Sequence, residues 1–218
     1  MDEYLSESEQ VDRIRQWWKQ NGAWIIVGIG GGILALAGWN WWQNYQLQRA
    51  EQASAIFSVV AEAGMEGRID EVRLGLERLE AGHGSSPYLH HGRLVLAGAL
   101  VRSGDSAGAI RLLEQVMDGA RDPELKSVAR LRLARVLLST GESERALGLA
   151  RGIETGAFAA PFLELKGDAL LVRGDPAGAS EAYRQALAAA SPLGGIIDEE
   201  FVRLKLEALS AGSGGDAS

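Results

Sequence analysis

The chain has 218 residues, with 22 Lys and Arg against 29 Asp and Glu, and no cysteine. Its near-zero mean hydropathy describes one mildly acidic domain of ordinary size, and the missing thiols exclude a disulfide framework, a thiolate nucleophile and Cys-ligated zinc without choosing a compartment. Three basic residues stand against five acidic ones up to Trp42, and 19 against 24 beyond it, so neither part has the basic footprint of a nucleic-acid binder.

The average hides two unlike parts, because all six tryptophans (Trp17, Trp18, Trp24, Trp39, Trp41, Trp42) fall in the first fifth of the chain. Residues 2–20 begin with Ser6 three positions before Glu9, a candidate capping box, and then place Val11, Ile14, Trp17 and Trp18 on one helical face. This pattern predicts a short helix leading into the membrane and lying on the inner leaflet. Residues 1–21 are thus expected to form a cytoplasmic N-terminal segment.

From Gly22 to Trp42 the sequence GAWIIVGIGGGILALAGWNWW has no formal charge over 21 residues. At about 1.5 Å per residue it covers roughly 30 Å, the thickness of a hydrocarbon core. A buried helix of a soluble domain seldom stays uncharged this long, so residues 22–42 are expected to be a transmembrane helix. The tryptophans cluster at its two edges, where indole rings prefer the headgroup level. Arg13, Arg15 and Lys19 precede the run and only Arg49 follows it closely, which predicts an N-terminus in the cytoplasm and an exported C-terminal part. Ala35-Leu36-Ala37 before Gly38 resembles a cleavage site, but the long, acidic, amphipathic lead-in and the aromatic cluster after it favour an uncleaved signal anchor.

Gly28 and Gly32 give a GxxxG spacing in this run. They suit close packing with another helix, and equally express the high glycine frequency of membrane helices; the spacing leaves both readings open. A nucleotide-loop reading fails, because no strand precedes these glycines and no lysine pairs with them.

Residues 43–209 carry little strand signal and much Ala, Leu, Arg and Glu at a 3.6-residue period, which predicts an all-α domain. Three segments, Leu94 to Met117, Leu131 to Ile153 and Leu165 to Leu187, align on a Gly-acidic turn. In each, a small residue (Ala97, Ala134, Gly167) lies seven positions before the turn glycine (Gly104, Gly141, Gly174), and an alanine (Ala109, Ala146, Ala179) five positions after it. The turn glycines recur after 37 and 33 residues, the tetratricopeptide signature. Two antiparallel helices cross closely only where one side chain is small, and glycine ends the first helix in a left-handed conformation. Asp105, Glu142 and Asp175 suit the N-terminus of the second helix.

A degenerate first repeat is expected over Ala50 to Gly64 and Ile69 to Leu79, with Gly67 in its turn. A capping helix is expected over Ile196 to Leu209, closing the last apolar face of the stack. The tail, residues 210–218, is too poor in apolar residues to fold and is expected to be disordered. The fold class is therefore all-α, a single N-terminal transmembrane helix followed by a tetratricopeptide-like α-solenoid.

No motif for chemistry emerges. His83, His90 and His91 lack metal-ligand spacing, the many carboxylates read as solvated helix faces, and Ser85 and Ser86 show no nucleophile-elbow pattern, so neither an enzyme nor a cofactor nor a metal is expected. Stacked hairpins expose a groove lined by the first helix of each pair, which suits protein ligands. Arg93, Arg102, Arg130, Arg132, Arg135 and Arg173 lie on first helices, with Arg93, Arg130 and Arg135 taken as candidate groove residues.

The lead-in ESEQVDRIRQWWKQNG (Glu7 to Gly22), the anchor ending in Gly38-Trp39, the run Leu131 to Val136, and Gly167 to Leu171 leading to Gly174-Asp175 together resemble the YfgM-like family of ancillary SecYEG translocon subunits. The GSGG tail and the paired Trp17-Trp18 depart from the family pattern. The resemblance implies a bacterial inner-membrane protein whose periplasmic repeats work beside the SecYEG translocon with the chaperone PpiD, assisting newly exported polypeptides without catalysis. It also implies a second role, in which the N-terminal segment tethers and restrains a cytoplasmic stress-response regulator. Deletion of residues 2–12 separates the two, since a scaffold keeps its translocon and a tether loses its regulator.

Overall fold

The computed structural model describes residues 7–153, 156–190 and 197–214. The described residues form α-helices and their connections: α1 (Glu7–Met65), α2 (Ile69–His83), α3 (Pro87–Ser103), α4 (Ser106–Gly119), α5 (Pro123–Ser139), α6 (Ser143–Ala150), α7 (Ala159–Val172), α8 (Pro176–Ala188) and α9 (Glu199–Gly214). The chain divides into two units, residues 1–52 and 53–218.

The first unit is carried by α1. Where the sequence pattern suggested a lead-in helix, a membrane run and a separate repeat helix, α1 is assigned as one helix of 59 residues. The cause is local: the first proline of the chain is Pro87, so nothing in α1 lacks a backbone donor or breaks the ladder. The expected cap residue Ser6 lies outside the described residues.

The second unit is a stack of helix hairpins, in which each helix from α2 to α9 packs on the next. The turns repeat one piece of backbone chemistry. Gly104, Gly141 and Gly174 have φ of 89°, 85° and 79°, and Gly67 has 75°. After each glycine the next amide donates five residues back, Arg68 to Ala63, Asp105 to Leu100, Glu142 to Leu137 and Asp175 to Leu170, at 2.8–2.9 Å. This is the Schellman arrangement, which satisfies carbonyls the helix end leaves open.

The acidic residues after the glycines divide into two kinds. Asp105 and Asp175 cap α4 and α8, each accepting a 2.8 Å bond from the amide three residues on, Gly108 and Gly178. Glu142 makes no such cap; its longer side chain accepts from Arg145 at 2.6 Å instead. The difference is written in the sequence as GDSAG and GDPAG against GESER.

The helix crossings fall where small residues were expected. Ala97, Ala134, Ala109, Ala146 and Ala179 are all buried, and a Cβ added to Gly167 would lie 2.4 Å from the ring of Tyr183. In the degenerate first repeat the close approaches use other glycines: a Cβ on Gly75 would meet Val60 at 2.3 Å, and one on Gly64 would meet Val95 at 2.2 Å.

Leucines, valines and alanines from Ala53 to Leu165 form a continuous core. A second cluster, with Ala160, Ala179, Tyr183, Ile197 and Val202, seats the terminal helix α9. The expected start of that helix, Ile196, lies outside the described residues, and α9 continues to Gly214, past the expected boundary at Leu209. Residues 210–214, expected to belong to the tail, are the last residues of α9. Residues 215–218 lie outside the described residues.

Candidate functional site

In the first unit, the large apolar side chains of α1 from Ile26 to Trp42 are exposed. The apolar stretch of α1 is almost wholly exposed, and this helix is long and apolar enough to cross a membrane. Trp17, Trp18, Trp24, Trp39, Trp41 and Trp42 are all exposed. Trp39 and Trp42 lie 5.7 Å apart, and Trp41 stacks on Tyr45 at 6.0 Å. Trp18 folds against Gly22, where a Cβ would sit 3.1 Å from its indole. Gly28 and Gly32 face open space, with nothing within 4 Å of an added Cβ.

In the second unit, an open groove of about 510 Å³ runs across α1, α3 and α5, the first helices of consecutive hairpins. Ala61, Met65, Leu94, Val95 and Gly98 give it an apolar wall, and Arg102 and Arg132 stand on it as the charged groups. Arg102 is pinned, donating to the Gly64 carbonyl at 2.6 Å. Arg132 is exposed and makes no hydrogen bond or ion pair with the described residues.

The arginines named from sequence take different places. Arg93 turns to α2, pairing with Glu80 at 2.7 Å. Arg130 donates to the Arg151 carbonyl at 3.0 Å and lies 5.7 Å from the Phe162 ring centre. Arg173 bridges to Glu144 of α6 at 3.1 Å. Arg135 is exposed one turn beyond Arg132 on α5, but does not line the groove. Arg93, Arg130 and Arg173 therefore tie neighbouring elements together, whereas Arg102 and Arg132 are brought to one surface.

Sequence reading missed a charged cluster at the last hairpin. Lys205 of α9 donates to Glu164 at 2.9 Å and Asp168 at 2.7 Å, and Tyr183 donates to the same Asp168 oxygen at 2.7 Å. Burial works against the Lys205 charge, but the two carboxylates outweigh it and raise its pKa; burial first and then Asp168 raise that of Tyr183. The signal was available in the repeat register. Glu164 and Asp168 occupy the places of Leu94 and Gly98, or Leu131 and Arg135, when the segments are aligned on Ala97, Ala134 and Gly167.

Histidine chemistry is local. His90 borders a cleft with Ser85, Ser86, Arg121 and Asp122, and burial, then Arg93 and His91, push its pKa down. Among the described residues, no group of three or more His, Asp or Glu side chains is placed to hold a metal ion.

An exposed helix long and apolar enough to cross a membrane, followed by hairpins joined through glycine turns with a groove across their first helices, defines a helical-repeat protein with a candidate membrane span. The family model for a tetratricopeptide repeat-like domain matches residues 15–211. The chain is 32% identical over 183 residues to the ancillary SecYEG translocon subunit of Escherichia coli (strain K12), covering 84% of this chain and 88% of that one. It is 25% identical over 205 residues to the protein of the same description from Haemophilus influenzae (strain ATCC 51907 / DSM 11121 / KW20 / Rd), covering 94% and 98% of the two chains. A counterpart in Neisseria gonorrhoeae (strain ATCC 700825 / FA 1090) is 23% identical over 210 residues, covering 96% of this chain and all of that one. The chain belongs to this tetratricopeptide repeat-like family of ancillary SecYEG translocon subunits.

Proposed function

We propose that this chain is a non-catalytic scaffold and chaperone of a SecYEG translocon, held in the bacterial inner membrane by α1 with its N-terminus in the cytoplasm and its repeats in the periplasm. There it assists newly exported polypeptides together with a PpiD-like periplasmic chaperone. The observation that carries this reading is the groove across α1, α3 and α5: it is open, largely apolar and lined by helices fixed through buried small residues. Such a surface suits an extended chain that has left the channel without folding, because it offers side-chain contacts along a line and closes over nothing. Its apolar wall shields exposed hydrophobic residues of the client for as long as the client stays extended.

Lys19 and the two arginines before it, against Arg49 alone just after the span, support the orientation. The exposed tryptophans at both ends of the span support its seating at the two interfaces. Affinity purification of the full chain from detergent-solubilised membranes, followed by mass spectrometry, is expected to recover translocon subunits and a periplasmic chaperone. A photocrosslinker at Val95 is expected to capture exported chains. Recovery of neither translocon subunits nor a periplasmic chaperone would sink the proposal.

A further inference from the structure

Resting on that reading, we infer that the α1–α3–α5 groove selects extended polypeptide segments in which an acidic side chain is flanked by apolar ones, the carboxylate being held between Arg102 and Arg132. Charge complementarity names the occupant. The chain carries a formal charge of −7, yet the groove lining includes two guanidinium groups and no carboxylate. Arg132 reaches the groove with no partner among the described residues. Arg102 spends one donor on the Gly64 carbonyl, which fixes its position, and keeps further N–H groups of its five-donor fork for a ligand. The surrounding wall of Ala61, Met65, Leu94 and Val95 suits the apolar neighbours of that acidic residue.

Gly98 shapes the floor of the same groove. A glycine inside a helix weakens it, and is usually kept where a neighbour leaves no room. Gly64 has that reason, since a Cβ there would strike Val95 at 2.2 Å. Gly98 does not: an added Cβ would meet only Arg102 Nη1 at an ordinary 3.6 Å. Its bare backbone instead leaves the groove floor open beside Arg102, where a passing chain needs space. The acidic group is a side chain and not a terminal carboxylate, because a client still being exported has no free C-terminus on this side of the membrane.

The test uses the full-length protein in lipid nanodiscs and three fluorescent ten-residue peptides, identical and apolar except for a central Glu, Gln or Lys. The Glu peptide is expected to bind about tenfold more tightly than the Gln peptide, the Lys peptide most weakly, and the Glu advantage to shrink in high salt. Arg132→Gln, at an exposed position that leaves the helices intact by circular dichroism, is expected to bring Glu and Gln peptides within about twofold of each other. Gly98→Leu, which fills the floor, is expected to weaken both peptides alike. Equal binding of Glu and Gln peptides to the wild type, a Glu preference that survives Arg132→Gln, or no binding of any peptide each overturns the inference. Exported chains that crosslink at Val95 irrespective of their acidic residues would do so too while leaving the proposed function standing, whereas failure to copurify with a translocon or chaperone is the failure of that function itself.

Discussion

Glycines in this chain serve opposite purposes, and their surroundings separate them. Gly167 sits where α7 crosses α8, and a Cβ there would press on a Tyr183 ring that Asp168 holds in place at 2.7 Å. Neither the ring nor the backbone can yield cheaply in a packed interior. Gly167→Ala is therefore expected to lower the unfolding free energy by about 1–3 kcal/mol. Gly98→Ala, which meets nothing closer than 3.6 Å, is expected to raise it by about 0.5–1 kcal/mol through the helix alone. Urea unfolding of the full chain in micelles, followed by circular dichroism, checks both. Tryptophan emission is the wrong probe, since no tryptophan follows Trp42. The role of Gly167 was legible in the sequence because it occupies the place of Ala97 and Ala134. The roles of Gly64 and Gly75 were not, because the first repeat lacks the spacing that would have aligned them.

At the level of elements, α9 is joined to the stack by apolar contact and by a partly buried ion-pair cluster. Val202 of α9 and Ile197 just before it join a small apolar cluster, and the Lys205 bridge to Glu164 and Asp168 adds a polar latch. The Lys205 ammonium also lies 4.8 Å from the Phe201 ring centre and 5.5 Å from that of Tyr183. Since Lys205 has its pKa raised on folding, its contribution is complete below its ordinary value of 10.5 and is lost as pH climbs through the higher folded value. Tyr183, also raised, loses its contribution in the same direction. Hydrogen exchange read by mass spectrometry should therefore show α9 amides losing protection above about pH 10.5 before those of α3 and α5. Lys205→Met should bring that loss to neutral pH, at a cost of about 1–3 kcal/mol, because two partly buried carboxylates are left without their cation. A terminal helix was legible as the closing piece of a repeat stack. Its latch was not, because Lys205 and Asp168 are 37 residues apart and only the fold makes them neighbours. The unbroken course of α1 was hidden for another reason: hydrophobicity changes sharply near Trp42, but a helix needs no change of backbone there.

For the whole molecule, the proposed orientation across the membrane can be tested by thiol labelling. The chain has no cysteine, so any introduced thiol is unique. Three basic residues before the span against one closely after it predict that Ser8→Cys faces the cytoplasm and Ser210→Cys the periplasm. In intact spheroplasts a membrane-impermeant maleimide should label Ser210→Cys at once, and Ser8→Cys only after the membrane is opened. The same gel tests the uncleaved anchor, because both variants should migrate at the full-length mass of 23.3 kDa. Cleavage after Ala37 would remove Ser8 with the leader and leave the repeats free in the periplasm, where no lipid span could keep them beside a channel. The reversed labelling pattern would place the repeats in the cytoplasm and end the proposal that they receive exported chains. If the predicted pattern holds, reversing the balance by Arg13→Glu, Arg15→Glu and Lys19→Glu should yield a population in which only Ser8→Cys labels from outside, since loop charge and not the repeats sets the direction of insertion.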